Sequence, residues 1–447
     1  MSGPATHPGS SPRQLAFRVQ PATGVRGTHS VPGDKSISHR ALMLAGVAEG
    51  RSTIGGFLES EDCLATLAAM RAMGVRVARP APQSVVIEGV GLHGLSGPRA
   101  PLDMGNSGTA LRLFTGLLAG QRFDSELIGD ASLMRRPMER VAMPLRQMGA
   151  RIETTSGRPP VRISGGAQLR AIRYQLPVAS AQVKSAILLA GLYARGVTAL
   201  SEPAVTRDHS ERMLQSFGVR LRVRGRNVEL EPPERLRACH VDVPGDFSSA
   251  AFFIIAGCLA AEGPFMLRNV GINPSRTGLL DALRLMGAEI RVLNERSAGA
   301  EPVADLEIER RELRGVAIPS ELVPRAIDEF PVLFVAAACA QGETLVTGAQ
   351  ELRVKESDRI AAMAAGLQTL GVRAEARPDG MRIVGGPIGG GRIDSQGDHR
   401  IAMAFAMASV RATQPIEIAD VANVATSFPG FAEVARSAGL DIQVREV

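Results

Sequence analysis

A helix that ends in glycine and leads into a short β-rich run recurs six times along this chain of 447 residues. The six junctions are Met73-Gly74-Val75, Met148-Gly149-Ala150, Phe217-Gly218-Val219, Met286-Gly287-Ala288, Leu370-Gly371-Val372 and Ala438-Gly439-Leu440. Glycine just past a helix end takes the left-handed conformation, which explains the residue type. Because successive glycines lie 68 to 84 residues apart, the period is too long for a solenoid of small repeats. Each copy is therefore predicted to be a βαβ-type unit of several elements.

Each copy also contains a second helix, upstream of the first, that is apolar on nearly every face. These segments are residues 41–48, 110–119, 183–194, 250–261, 332–340 and 401–410. A helix that is apolar all round belongs in a protein interior, whereas the glycine-ended helices are amphipathic. The pattern predicts an α/β protein with buried helices inside and with sheets and amphipathic helices around them.

The six copies divide into two sets of three. The quartet Val31-Pro32-Gly33-Asp34 recurs 212 residues later as Val243-Pro244-Gly245-Asp246, and we interpret the quartets as the starts of two similar domains. We predict a disordered tail at 1–13, a first three-repeat domain at 31–243, and a second formed by 14–30 plus 244–447. The early strand, about Gln14 to Val19, is expected to pair with the C-terminal half.

Composition narrows the classes of function. The formal charge of +6 and the isoelectric point near 9.6 suit nucleic acid, a membrane surface or small anions. Aromatic residues are only 4% of the chain and tryptophan is absent, which argues against binding of single-stranded nucleic acid. The longest apolar stretch, 250–261, is too short to span a bilayer. The four cysteines are far apart, which predicts reduced thiols and neither a zinc site nor a disulfide framework.

Polar residues cluster where the apolar helices begin. Simple N-capping explains Asp246, Ser248 and Ser249. It does not explain cations, because a positive side chain at a helix N-terminus opposes the helix dipole unless an anion binds there. The residues left unexplained by capping are Lys35, Arg40, Gln182 and Arg400.

Further basic residues precede the amphipathic helices. They are Arg135, Arg136, Arg207, Arg276, Lys355 and Arg359. We interpret Arg135 and Arg276 as solvated surface charges. The others recur at one place in the unit, so we expect them to converge on a cleft between the two domains that binds several anionic groups.

Nine segments, in order, resemble the enolpyruvyl transferase family of 5-enolpyruvylshikimate-3-phosphate synthases. They are PGDKSISHRAL (32–42), GNSGTALRL (105–113), GDASLMRRPM (129–138), ASAQVKSA (179–186), TRDH (206–209), IDEFP (327–331), RVKESDR (353–359), DHRIAM (398–403) and ATSFP (425–429). The resemblance implies two inside-out α/β barrel domains, each of three βαβαββ repeats around buried helices. It also implies transfer of the enolpyruvyl group of phosphoenolpyruvate to the 5-hydroxyl of shikimate 3-phosphate, with release of phosphate through a tetrahedral intermediate.

The resemblance carries further expectations about the protein as a whole. It implies no metal and no organic cofactor, and small-molecule substrates only. We expect a cytoplasmic monomer that binds neither nucleic acid nor membrane, and that serves chorismate and aromatic amino-acid biosynthesis.

The resemblance also implies site residues, segment by segment. Those for shikimate 3-phosphate are Lys35, Ser36, Arg40, Ser180, Ala181, Gln182, Arg207, Asp328 and Lys355. Those for phosphoenolpyruvate are Lys35, Gly108, Arg136, Gln182, Arg359 and Arg400. For catalysis, Asp328 would accept the proton of the 5-hydroxyl and Glu356, assisted by Lys35, would protonate the methylene. An N-cap for the helix at Pro331 is a second interpretation of Asp328, and ion pairing with Lys355 or Arg359 is a second one of Glu356.

Two positions distinguish this chain within the family pattern. Some members carry a lysine in the loop before the final Phe-Pro, where this chain has Ser427, so we do not expect a lysine–phosphate contact from that loop. Gly108 matches a small-residue position at which alanine crowds the inhibitor glyphosate, so we expect this chain to be a glyphosate target.

Three alternatives remain open at this point. The sister transferase that acts on UDP-N-acetylglucosamine usually carries a catalytic cysteine in its first domain, and this chain has none between Cys63 and Cys239. A nucleic-acid-binding module is suggested by the isoelectric point alone. A non-catalytic scaffold would make Lys35, Arg359 and Arg400 dispensable.

Overall fold

A computed structural model describes residues 15–447; the predicted tail at 1–13 and Gln14 lie outside the described residues. The helices α1 to α13 are Lys35–Gly46, Glu61–Ala72, Gly108–Leu118, Glu139–Gln147, Ala181–Gly191, His209–Ser216, Phe247–Ala260, Gly278–Leu285, Val323–Ala326, Phe330–Cys339, Arg359–Thr369, His399–Ala408 and Phe431–Ser437. Short 3-10 helices are Leu133–Arg135, Ser320–Leu322, Gln350–Val354 and Ala422–Thr426.

The strands form six sheets. In chain order, β1 to β23 are Leu15–Val19, Val25–Ser30, Glu49–Gly55, Arg76–Ala81, Ser84–Val90, Leu102–Asp103, Ser125–Ile128, Arg151–Thr155, Arg158–Ser164, Arg173–Gln175, Thr198–Ser201, Leu221–Arg224, Asn227–Leu230, His240–Asp242, Ala261–Gly271, Glu289–Ala298, Glu301–Glu309, Glu343–Val346, Arg373–Arg377, Gly380–Val384, Gly391–Asp394, Ile416–Ala419 and Ile442–Glu446. The sheet orders are β14-β3-β5-β4, β6-β7-β9-β8, β10-β11-β13-β12, β16-β17-β15-β2, β18-β20-β19 and β21-β22-β1-β23.

The predicted βαβαββ unit is visible in the run β6, α3, β7, α4, β8, β9. In it β6 pairs parallel with β7, and β7 and β8 pair antiparallel with β9. The same unit recurs around α5. It also recurs around α1, α7 and α12, but there one strand of each sheet comes from a distant part of the chain, namely β14, β2 and β1. As expected, the early strand β1 pairs with C-terminal strands, namely β22 and β23.

The glycine after each amphipathic helix behaves as the sequence predicts. Gly74, Gly149, Gly218, Gly287, Gly371 and Gly439 all have positive φ, between 86° and 113°. The apolar helices are the interior ones, and every residue of α7 is buried. The predicted arrangement of buried helices inside surrounding sheets is confirmed.

Two hydrophobic clusters form separately. One contains residues between Ile37 and Val243; the other contains Phe17, Val19, Val25 and residues between Phe247 and Ile442. We propose that they are the cores of the two predicted domains, 31–243 and 14–30 plus 244–447, and refer below to the first and second domains in that sense.

The two repeated quartets meet where the chain passes between the domains. The backbone N–H of Asp34 donates to the Pro244 carbonyl, and that of Asp246 donates to the Pro32 carbonyl, each at 2.8 Å. Between them Gly33 and Gly245 form an antiparallel bridge. A Cβ on Gly33 would lie 1.9 Å from a backbone carbonyl oxygen, so this crossing requires glycine.

The interpretation of Arg276 as a solvated charge is wrong. Its side chain is only 3% exposed and contacts the carboxylates of both Asp34 and Asp246, the latter at 3.2 Å. Those carboxylates also cap α1 and α7, so capping of α7 by Asp246 is confirmed. Two buried carboxylates at equivalent helix starts need a cation between them, and Arg276 supplies it. Arg135, by contrast, is exposed as predicted.

Within the part of the chain that the structure describes, none of the helices has the length and hydropathy needed to cross a lipid bilayer.

Candidate active site

One cavity of about 370 Å³ brings most of the predicted site residues together, with walls from both proposed domains. The predicted residues that line it are Lys35, Ser36, Gly108, Arg136, Ser180, Ala181, Gln182, Arg207, Asp328, Lys355, Glu356, Arg359 and Arg400. Residues more than 300 positions apart in the sequence thus line the same cavity. The convergence expected from the repeat pattern is present.

Arg40 is the predicted residue that does not line this cavity. Its guanidinium is buried and donates to the hydroxyls of Ser210 and Ser185, each at 2.7 Å, and to the Ser36 carbonyl. Burial lowers the pKa of Arg40 to about 10, which still leaves it charged at neutral pH. In this structure Arg40 braces α1 against α5 and α6 behind the cavity wall.

Helix N-termini supply much of the cavity wall. The helices α1, α3, α5, α11 and α12 begin at or next to Lys35, Gly108, Ala181, Arg359 and Arg400. Side chains of the residues before them, such as Asp34, Ser107 and Ser180, cap the first turns. The positive ends of these helix dipoles and the adjacent cations both favour anions.

Asp328 lies at the centre of a cationic cluster. It contacts Arg207 of the first domain, Arg359 Nη1 at 3.3 Å, Lys355 Nζ at 3.5 Å and Arg400 Nη2 at 3.9 Å. Burial alone would raise the pKa of Asp328, but these four cations outweigh burial and hold the pKa well below its usual value of 3.8.

The second interpretation of Asp328, as an N-cap, is wrong. The residue before α10 is Glu329, which makes no side-chain cap. Pro331 is the second residue of α10 and has no N–H for a capping side chain to accept. The carboxylate of Glu329 instead accepts a hydrogen bond from the Ser248 hydroxyl. The carboxylate of Asp328 faces the cations described above.

Glu356 bridges two of the predicted phosphoenolpyruvate-binding arginines. Its Oε1 lies 3.2 Å from Arg136 Nη1, and its Oε2 lies 2.6 Å from Arg359 Nη2. Burial would raise the pKa of Glu356, but Arg359 and Arg136 outweigh it and keep the pKa well below the usual 4.5. The predicted ion pairing with Arg359 is confirmed, and an anion that binds the same two guanidinium nitrogens displaces this carboxylate.

Lys35 is held from both domains. Its ammonium contacts the buried carboxylate of Asp62 and donates to Ser427 Oγ at 2.8 Å. The Ser427 hydroxyl also lies 3.1 Å from Nε2 of His399. The loop that contains Ser427 therefore supplies a neutral acceptor to Lys35.

Both polar atoms of the Gln182 side-chain amide are hydrogen-bonded. Its Nε2 donates to Thr109 Oγ1 at 2.9 Å, and its Oε1 accepts from Arg112. Arg112 lines the cavity, and burial lowers its pKa to about 10. A Cβ on Gly108 would lie 3.0 Å from Arg136 Nη1 and 3.1 Å from Arg112 Nη1, so a larger residue here would push on both guanidinium groups.

Sequence reasoning missed several residues that line the cavity. They are Asp62, Arg112, Arg140, Glu351 and His399. Arg112 lies four positions after the predicted site residue Gly108, which is one helical turn further along α3. That spacing could have identified Arg112. No such spacing indicates Arg140, which pairs with Glu351 of the second domain at 3.0 Å.

Comparison with known proteins agrees with this geometry. The family model described as EPSP synthase (3-phosphoshikimate 1-carboxyvinyltransferase) matches residues 19–435. The chain belongs to the EPSP synthase family. The predicted family is thereby confirmed, and the solved structures described next confirm the predicted fold class.

Relatives named 3-phosphoshikimate 1-carboxyvinyltransferase resemble the chain over nearly its whole length. That of Alkalilimnicola ehrlichii is 62% identical, with 95% of this chain and 96% of the relative covered. That of Methylococcus capsulatus is 59% identical, with 97% and 99% covered.

Comparison with solved structures shows that the resemblance also holds for the three-dimensional fold. An EPSP synthase from Acinetobacter baumannii is 51% identical, with a TM-score of 0.86 and coverage of 97% of this chain and 100% of that one. The enolpyruvyl transferase NikO from Streptomyces tendae shares the fold at 19% identity, with a TM-score of 0.77 and coverage of 98% and 100%.

The cavity has no cysteine of the kind that the sister transferase, which acts on UDP-N-acetylglucosamine, usually carries. All four cysteines lie among the described residues, and none lines the cavity. Burial raises the pKa of the Cys63 thiol, which makes it a poor nucleophile.

Proposed function

We propose that this EPSP synthase family enzyme joins phosphoenolpyruvate to the 5-hydroxyl of shikimate 3-phosphate and releases phosphate. The observation that carries the proposal is the single cavity in which Lys35, Arg136 and Arg207 of the first domain face Asp328 and Arg359 of the second. Both substrates are polyanions, and this wall supplies their counter-charges from two directions.

Shikimate 3-phosphate binds at the end of the cavity formed by α1, α5 and Lys355. Its ligands are Lys35, Ser36, Arg40, Ser180, Ala181, Gln182, Arg207, Asp328 and Lys355. The hydroxyl of Ser180 and the free N–H groups of α5 suit phosphate oxygens. Arg40 reaches the substrate only by a side-chain movement, because its guanidinium now faces Ser185 and Ser210.

Phosphoenolpyruvate binds beside it. Its ligands are Lys35, Gly108, Arg136, Gln182, Arg359 and Arg400. Arginine presents a planar fork that matches carboxylate and phosphate, so Arg136, Arg359 and Arg400 form a three-sided clamp. Gly108 leaves the backbone at the start of α3 open to the substrate.

The first chemical step is addition. The 5-hydroxyl oxygen forms a bond to C2 of phosphoenolpyruvate while its proton passes to Asp328. The C2–C3 double bond supplies the electron pair that takes a proton from Glu356, assisted by Lys35, so that C3 becomes a methyl group. Each such proton transfer typically contributes ~10²–10⁴-fold.

The second step is elimination. One of the three hydrogens of the new methyl group leaves as a proton to Glu356, the C2–O bond to phosphate breaks, and the C2–C3 double bond re-forms. Inorganic phosphate departs with the bonding electrons and is stabilised by the arginine clamp. The proton on Asp328 passes to the departing phosphate, which returns Asp328 to its carboxylate form.

The low pKa values of Asp328 and Glu356 fit this scheme only with substrates bound. Substrate anions that engage Lys355, Arg207, Arg136 and Arg359 withdraw those cations from the two carboxylates. The pKa of each carboxylate then rises, Asp328 becomes a stronger base, and Glu356 gains the proton that it donates.

We further propose that the enzyme works as a cytoplasmic monomer on these small molecules in aromatic amino-acid biosynthesis, and is inhibited by glyphosate.

Product analysis in D2O tests the proposal. The vinyl product must carry deuterium in its methylene, because C3 becomes a methyl group before it loses a hydrogen. Product with no deuterium would rule out addition followed by elimination. Product formed with UDP-N-acetylglucosamine and not with shikimate 3-phosphate would assign the sister reaction instead.

A further inference from the structure

Arg207 lies on a short segment that is anchored on either side. Before it, the Thr206 carbonyl accepts from the ammonium of Lys184 at 3.4 Å, and the Thr206 hydroxyl bonds to the carboxylate of Glu202. After it, Asp208 Oδ1 accepts from Asn273 Nδ2 at 2.7 Å. Lys184 belongs to the first domain and Asn273 to the second, so both domains fix the backbone around Arg207.

The anchor in the second domain is a buried network. Asn273 Nδ2 also donates to Glu301 Oε2 at 2.9 Å, and Glu301 Oε1 lies 2.7 Å from Nδ1 of His209. The Asn273 oxygen accepts from the backbone N–H of Ser275 at 2.9 Å. Both donors and the acceptor of this amide are therefore occupied, which fixes its orientation.

Charge strengthens the anchor. Burial would raise the pKa of Asp208, but the hydrogen bond from Asn273 and the charge of Arg212 outweigh it and lower the pKa. Asp208 is a carboxylate at neutral pH, and a hydrogen bond to an ionised acceptor is about twice as strong as a neutral one.

The β16–β17 hairpin brings the network to the first domain. Its turn places Ala300 and Glu301 against the first turn of α6, where Arg212 Nη1 donates to the Ala300 carbonyl at 2.9 Å. Asn273 and Glu301 do not line the cavity, whereas Arg207 does. These two residues therefore act on the substrate from outside the cavity, and the segment that carries Arg207 is the part of the first domain through which Asn273 and Glu301 reach it.

We propose that Asn273 and Glu301 are positioning residues that hold Arg207 in place for the phosphate-bearing substrate. The proposal rests on the proposed function, in which Arg207 binds shikimate 3-phosphate. The network links the second domain to a substrate-binding arginine of the first, so the relative position of the domains sets the position of Arg207.

Steady-state kinetics of Asn273→Ala test the proposal. We expect the KM for shikimate 3-phosphate to rise roughly tenfold, the effect of losing one charge-assisted hydrogen bond. The KM for phosphoenolpyruvate and kcat should change by less than about twofold on the same scale. Asn227→Ala, at an exposed asparagine on β13, is the matched control and should leave all three constants unchanged.

A conservative variant keeps the test independent of folding. Glu301→Gln preserves size and a carbonyl acceptor for Asn273, so its KM for shikimate 3-phosphate should rise less than that of Glu301→Ala. Equal effects of the two Glu301 variants, or equal rises in KM for both substrates, would overturn the proposal.

The decisive comparison uses the Arg207→Ala background. If Asn273 acts through Arg207, adding Asn273→Ala to Arg207→Ala raises the KM no further. A full additional rise would overturn the positioning role while leaving the proposed function intact. A wild-type enzyme that releases no phosphate in response to shikimate 3-phosphate would instead refute the proposed function.

Discussion

The carboxylate of Glu356 lies 3.2 Å from the Arg136 guanidinium, across the cavity from the opposite domain. The same carboxylate also contacts Arg359 at 2.6 Å. Glu356 therefore holds in place two arginines of the proposed clamp and competes with any anion that binds them.

This contact predicts opposite effects of Glu356→Gln on binding and on turnover. The neutral amide releases the arginines, so the KM for phosphoenolpyruvate should fall or stay unchanged. Loss of the proton donor should lower kcat by ~10²–10⁴-fold. Steady-state kinetics separates the two roles: a higher KM for phosphoenolpyruvate would contradict the competition for the arginines, and an unchanged kcat would contradict the role of proton donor.

The cations around Asp328 predict how stability depends on pH. Because the pKa of Asp328 is lower in the folded protein than its usual 3.8, the ionised carboxylate stabilises the fold above that value. This contribution is lost as the pH falls through the folded-state pKa. Asp328→Asn should therefore melt at a lower temperature than wild type at neutral pH, and the difference should shrink below about pH 4.

Thermal melting curves recorded from neutral to acid pH measure how the difference in melting temperature between Asp328→Asn and wild type shrinks. Asp441→Asn, at an exposed position, is the control and should follow the wild-type curve throughout. A difference that stays constant down to the lowest pH would show that the pKa of Asp328 is not depressed.

The narrow space at Gly108 predicts that a methyl group added there weakens inhibition by glyphosate. A methyl group there would lie about 3 Å from Arg136 and Arg112 and would narrow the phosphoenolpyruvate end of the cavity. Gly108→Ala should weaken glyphosate inhibition roughly tenfold or more, the usual discrimination from one methyl group in a tight pocket.

Inhibition curves at fixed phosphoenolpyruvate provide the measurement. Gly386→Ala is the matched control, because a Cβ at Gly386 meets no atom within 4 Å. Unchanged inhibition of Gly108→Ala would mean that the inhibitor does not approach α3.

The buried Arg276 predicts a large loss of stability. Arg276→Met leaves Asp34 and Asp246 buried without their cation, and removing one partner of a buried ion pair typically costs about 3–5 kcal/mol. Arg220→Ala, at a side chain that is 87% exposed, should change the free energy of unfolding by less than about 0.5 kcal/mol. Denaturant unfolding compares the two, and a similar small change in both would refute the bridging role.

The repeat could be predicted from sequence because it rests on local physics. Glycine at a helix end and an all-apolar helix are each decided by a few neighbouring residues, and they placed Lys35, Arg359 and Arg400 at helix starts. Asp246, which caps α7 as predicted, shows that local rules also hold at the second quartet.

Contacts between elements that are distant in the sequence cannot be predicted from such local rules. Arg276 resembles a surface arginine in sequence, and only the crossing of the two quartets places Asp34 and Asp246 around it. Asp62 pairs with Lys35 because α2 packs beside α1, and no spacing in the sequence indicates that contact. Asp328 was assigned a possible cap because Pro331 marks a helix start, but proline also removes the donor that the cap needs.

Phosphate release from phosphoenolpyruvate, with and without shikimate 3-phosphate, tests the central claim most directly. We expect wild-type enzyme to release phosphate only when both substrates are present, and Asp328→Asn to bind both yet release it ~10²–10⁴-fold more slowly. Release that is independent of shikimate 3-phosphate, or an Asp328→Asn variant as fast as wild type, would contradict this account.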